Sequence, residues 1–143
     1  MKIVENLPKL FVLGFFGIGA GVLIFKAFET EESSESLAIT LPSFTSEAQA
    51  GEVVFNDNCA ACHGANATGT NSGPPLVHNI YNPGHHDDAS FYRAVENGVP
   101  RHHWPFGNMP KQSHVTKDEV TSIIRYIREL QLANGISYKP HNM

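Results

Sequence analysis

The run Cys59-Ala-Ala-Cys62-His63 restricts this chain more than any other feature. On a helical turn, residues at i, i+3 and i+4 share one face, so both thiols and the imidazole point the same way. The chain holds 2 cysteines, these two, which leaves no disulfide framework and three readings: a redox pair, half of a metal site, or cofactor attachment. A zinc site needs further ligands at matching spacing, and no second cysteine pair exists. A thioredoxin-like pair needs a βαβ setting, and no alternating strand pattern supplies one. The C-x-x-C-H signature of c-type haem attachment is matched residue for residue: one haem c, covalently bound through Cys59 and Cys62, with His63 beneath the iron as an axial ligand.

The rest of the chain suits such a cofactor. At 143 residues it holds one modest domain plus an attachment. Residues 47–58, after a capping box at Ser46-Glu-Ala-Gln49, read as a helix that runs directly into Cys59. Asp88 or Ser90 caps a second helix through Phe91, Tyr92, Ala94 and Val95, which Gly98 ends. Thr116-Lys-Asp-Glu119 is another capping box, and Val120, Ile123, Ile124, Ile127 and Leu130 then form one apolar stripe that stops at Gly135. Gly- and Pro-rich stretches, 64–84 and 98–110, separate these helices. Three short helices and long loops make a thin core, so a large apolar group is expected to complete it.

Before the domain, residues 10–25 read LFVLGFFGIGAGVLIF without a charge, and Lys26 can snorkel so that the apolar stretch reaches Phe28. A helix over 10–28 is about 28 Å long, enough for a hydrocarbon core of roughly 30 Å. Lys2 and Lys9 with the small Gly19 and Ala20 also resemble a signal peptide, but no small-x-small site follows the apolar run, so an uncleaved anchor is the expectation. Residues 29–45 carry four glutamates within 29–35 and read as an acidic flexible linker. The expected organisation is therefore a cytoplasmic N-terminus over 1–9, a transmembrane anchor over 10–28, a linker over 29–45 and a haem domain over 46–143.

Elimination indicates the second axial ligand. Of 3 methionines, Met1 precedes the apolar run and Met143 is the last residue, which leaves Met109 in Gly107-Asn-Met-Pro110. Pro110 restricts the backbone before it, which suits a loop that presents a thioether to iron. His102, His103 and His114 are the rivals. Trp104, with Arg101 and Lys111, is placed to hydrogen-bond the haem propionates, packing and solvated charge being the alternative. The pairs His85-His86 and His102-His103 stand out among 8 histidines. A second copper or zinc site is one reading; surface or propionate-bonding histidines are the other, since adjacent residues rarely face one ion.

Over residues 46–135 the chain resembles the short class I c-type cytochromes. In that family a Gly and an aromatic stand eight and four positions before the first haem cysteine, here Gly51 and Phe55, and Tyr126 matches the aromatic of the C-terminal helix. The Gly-Pro-x-Leu run after the histidine is Gly73-Pro74-Pro75-Leu76. The resemblance implies a small all-α fold of three to five short helices and long loops around one haem, here preceded by the transmembrane helix. It implies that the Pro74 carbonyl accepts the Nδ1 proton of His63, leaving Nε2 for iron. It also implies haem attachment outside the bacterial cytoplasm, hence a single-pass inner-membrane protein with its haem domain in the periplasm.

A His63/Met109 iron has no open position, so the expected function is single-electron transfer between membrane redox complexes of a respiratory or photosynthetic chain, with no small-molecule substrate. The alternative is a fixed haem subunit of a larger oxidase or dehydrogenase. A haem enzyme or sensor would require an open iron site. With 10 Lys and Arg against 14 Asp and Glu, a formal charge of −4 offers no basic footprint for nucleic acid.

Overall fold

The computed structural model describes residues 39–140. Four α-helices follow in order: α1, Ser46–Asn58; α2, Ala60–His63; α3, Asp88–Asn97; and α4, Lys117–Ala133. Two 3₁₀ turns, Ala65–Ala67 and Asn79–Tyr81, interrupt the long connection between α2 and α3. Among the described residues no helix is long and apolar enough to cross a membrane. The expected anchor, 10–28, and the N-terminus, 1–9, lie outside the described residues.

The core is the crossing of α1 and α4. Gly51 of α1 is buried, and a Cβ built on it would collide with the backbone carbonyl of Ser122 on α4, so only glycine permits this approach. Four residues on, Phe55 is fully buried and its ring centroid lies 5.5 Å from that of Tyr126, which also packs 5.2 Å from Phe44. The stripe expected on α4 is the buried face: Val120, Ile123, Ile124, Ile127 and Leu130 are each at most 6% exposed. Tyr126 adds a cost to this core. Its hydroxyl is buried without a hydrogen-bond partner among the described residues, and burial, with Glu52 nearby, pushes the phenol up to about 12.

The helix ends follow local chemistry, with two corrections. At α4 the capping box is complete: the Thr116 hydroxyl accepts from the Glu119 amide at 3.3 Å, and the Glu119 carboxylate accepts from the Thr116 amide at 2.8 Å. Hydrogen bonds from the Thr116 amide and hydroxyl hold the Glu119 pKa low. α3 is capped by Asp87, not by the expected Asp88 or Ser90, through a 2.8 Å bond from the Ser90 amide. α1 starts at Ser46, but its cap is Thr45, not Ser46, and no capping box forms. The reason is tertiary. Glu129 of α4 accepts from both the amide (3.0 Å) and the hydroxyl (2.7 Å) of Thr45, so Thr45 is fixed at the position from which its oxygen can also accept from Ala48. Glu129 itself is only partly desolvated, and the bonds from Thr45 and Arg125 hold its pKa low against that burial. Just upstream, Thr40 exchanges two hydrogen bonds with the Asn134 side chain, 2.8 and 2.9 Å long, which docks residues 39–45 along α4.

Because the Gly51 contact is against backbone, it cannot be relieved by a rotamer change. Ala is the better helix former by about 1 kcal/mol, but overpacking costs about 1–3 kcal/mol. Gly51→Ala should therefore lower stability, read as a lower denaturant midpoint for the haem-loaded protein, whereas helix propensity alone would raise it.

Candidate haem site

α1 runs almost without a break into the motif. The Cys59 amide donates to Phe55 O at 2.8 Å, and the Cys62 and His63 amides both donate to Cys59 O, at 3.1 and 2.9 Å. These bonds make one helical turn of Cys59 to His63, as the spacing anticipates. Gly64 then turns the chain at φ +76°, a conformation that a side chain disfavours. The following loop folds back on the turn it left: the Gly69 amide donates to His63 O at 2.6 Å, and the Thr70 hydroxyl to Cys62 O at 2.6 Å. Asn66 and Ala67 both adopt positive φ, and the Ala67 carbonyl accepts from Leu76 and Val77, which closes the loop over α2.

That closure carries Pro74 to the imidazole. His63 Nδ1 lies 2.9 Å from the Pro74 carbonyl oxygen, so Nδ1 carries the proton and Nε2 is left as the basic atom. Burial lowers the His63 pKa, and the bond to Pro74 opposes this only in part, so the ring is held neutral, the form that ligates metal. Cys59 is half-buried; burial, then the neighbouring Cys62, pushes its thiol up to about 11. Cys62 is exposed.

Met109, on the loop after α3, lines the same region. Val99 and Met109 pair as an isolated antiparallel bridge, with amide-to-carbonyl distances of 3.0 and 2.9 Å, so the loop between them is pinned at its base. Gly98, at φ +74°, both ends α3 and lets the Met109 segment approach; a Cβ there would lie 2.6 Å from Met109 O. A cavity of about 620 Å³, within the roughly 300–1,000 Å³ of cofactor sites, is lined by Cys59, His63, Pro74, Trp104 and Met109 among others. Arg101 also borders it, while Lys111 is exposed and His114 bonds Asn58 at 3.0 Å.

A haem fits these residues. The cavity is framed by a neutral imidazole and a thioether, and it adjoins the motif that supplies two thiols. In its wall the Trp104 indole nitrogen is buried without a hydrogen bond of good geometry among the described residues, a donor that a propionate would satisfy. That nitrogen also stands close enough to the Tyr81 hydroxyl to offset part of the burial that raises the Tyr81 pKa.

Comparison with known proteins agrees with this geometry. The family model for cytochrome c matches residues 48–131. The chain belongs to the cytochrome c family. This cytochrome is also similar to the cbb3-type cytochrome c oxidase subunit CcoP of Azospirillum sp. (strain B510), at 27% identity over 88 residues, 56% of the present chain. The match spans 29% of that relative's length. No solved structure matches. The family is that of the class I c-type cytochromes expected from the motifs, and it implies covalent haem c.

Two residues that organise the cytochrome's site carry no motif. Arg128, 13% exposed, donates to Asp88 (2.8 Å), Tyr81 O (2.8 Å), Gln131 (2.7 Å) and His86 O (2.6 Å), and its guanidinium lies 5.0 Å from the Phe91 ring centroid. Gln131, buried beside it, donates to Leu76 O at 2.9 Å and Tyr81 O at 3.1 Å. Together they tie the loop between α2 and α3, which forms one side of the cavity, to α4. In the sequence, Arg128 reads only as the polar edge of an amphipathic helix. Arg128→Ala should cost about 2–3 kcal/mol, because it removes charge-assisted bonds and leaves carbonyls unpaired. Arg128→Lys should recover little of this, since an ammonium lacks the planar fork; thermal unfolding of the haem-loaded forms measures both.

Proposed function

We propose that this chain is a membrane-tethered, single-haem electron carrier whose iron is held by His63 and Met109. When bound, the haem supplies a one-electron ferric/ferrous couple. His63, its tautomer set by Pro74, would offer Nε2 as one axial ligand; Met109, held by the Val99 bridge and followed by Pro110, would offer its sulfur as the other. Cys59 and Cys62 would anchor the group, and Trp104 would donate to a propionate. Were His63 and Met109 both to hold the iron, a substrate would find no open position there, which favours electron transfer over catalysis. The observation that carries this reading is that Met109, far along the chain from the motif, borders the same cavity as Cys59 and His63.

The tether rests on residues 10–28, an apolar run broken only by Lys26, whose amine can snorkel outward, and long enough to span a bilayer. With haem attached outside the cytoplasm, the domain faces the periplasm of a bacterial inner membrane and exchanges electrons with membrane redox complexes. A second reading, a fixed haem subunit of a larger oxidase, is supported by the similarity to an oxidase subunit. The tethered carrier should leave membranes alone in mild detergent; a stable stoichiometric complex favours the subunit.

Axial ligation is tested by Met109→Ala. The intact ferric protein should show the near-infrared charge-transfer band of thioether-ligated haem, and the variant should lose it and bind carbon monoxide in the ferrous state. A band that survives the substitution overturns Met109 as ligand and returns His102 or His103 to consideration.

A further inference from the structure

The histidine pairs, which the sequence leaves scattered over two loops, are gathered in space. His85, His86 and His103 each offer a ring nitrogen, and these atoms lie within 4.8 Å of one another. His85 Nε2 and His103 Nε2 are 3.2 Å apart, hydrogen-bonded to each other. That separation is close to the edge of a tetrahedron with metal–nitrogen bonds of about 2.0–2.1 Å, roughly 3.3 Å. His86 Nδ1 is committed to the Ile80 carbonyl at 2.8 Å, which leaves Nε2 as its ligating atom and supplies the carbonyl contact typical behind a metal-bound imidazole.

The objection that neighbouring residues seldom face one ion does not hold at this turn. The amides of His85 and His86 both donate to the Asn82 carbonyl, at 3.0 and 2.9 Å, and their rings stand 4.6 Å apart, edge to face. The turn is stiff. Asn82 is buried, its side-chain oxygen accepts from Gly84 and Lys139, and Arg128 holds the His86 carbonyl. His102, with its ring centroid 4.3 Å from that of His103, is a candidate for the fourth position.

We propose that His85, His86 and His103 bind one divalent transition-metal ion of the copper and zinc class through their ring nitrogens. Imidazole-only sites suit such ions and not magnesium or calcium, and copper(II) binds more tightly than zinc(II) at a given nitrogen set. The ion would replace the His85–His103 hydrogen bond and draw the three ring nitrogens, already within 4.8 Å of one another, onto one centre. It would cross-link the turn held by Arg128 to the loop that ends in Met109, and so stiffen the wall of the haem cavity.

The test uses the haem-loaded protein titrated with copper(II) alone and, separately, zinc(II) alone. One equivalent of each should bind, copper more tightly, with nitrogen hyperfine structure in the copper resonance spectrum and the near-infrared haem band retained. His85→Gln, His86→Gln and His103→Gln should each weaken binding by about 10-fold or more, and the triple variant should abolish it. His114→Gln, outside the cluster, should leave binding unchanged. Binding that persists in the triple variant, or copper uptake without nitrogen hyperfine structure, would overturn the proposal, as would no uptake at all.

Discussion

The close crossing of α1 and α4 at Gly51 is the constraint on which the rest of the domain depends. It brings Phe55 against Tyr126, and because the Cys59 amide bonds back to Phe55 O, the haem motif begins where that packing ends. The position of His63 is thus inherited from a helix contact eight residues before the first cysteine. A protein with so few helices cannot enclose a core of ordinary size. Instead α1 and α4 make one apolar layer, and the loops enclose a cavity whose contents complete the fold.

The two long loops achieve this by different means. The loop after α2 folds back through the Gly69 amide to His63 O, the Thr70 hydroxyl to Cys62 O, and the Leu76 and Val77 amides to Ala67 O, and so delivers the Pro74 carbonyl to the imidazole. The loop after α3 is pinned at its base by the Val99–Met109 pair, leaving its tip, with the histidine pair and Trp104, against the cavity. Arg128 and Gln131 then tie the later part of that first loop, through Leu76 O, Tyr81 O and His86 O, to α4. A neutral imidazole, a thioether and an indole nitrogen without a well-formed hydrogen bond among the described residues border one largely apolar space, an arrangement that suits a haem.

Much of this was legible in the sequence because the relevant signals are local. The α4 stripe and its capping box at Thr116 need only helical period and a short side-chain reach, and both are present as read. CAACH needs only one helical turn. What was not legible depends on partners far along the chain. Thr45, not Ser46, caps α1 because Glu129 of α4 fixes it, and residues 39–45 dock through Thr40 and Asn134, 94 positions apart. Arg128 looks like any charged residue on an exposed helical face until the loop it holds is seen. The histidine pairs show the same limit: the sequence displays their number, but only the Asn82 turn puts His85 and His86 on one side and opposite His103.

The central claim is that the cavity between His63 and Met109 belongs to a single porphyrin bonded to both cysteines. Intact-protein mass spectrometry under denaturing conditions tests it most directly. The matured chain should carry the added mass of one haem that acid and organic solvent do not extract, and replacing Cys59 and Cys62 together by Ser should remove it. A chain that denatures at its bare polypeptide mass, or one whose haem is released on extraction, would contradict the account.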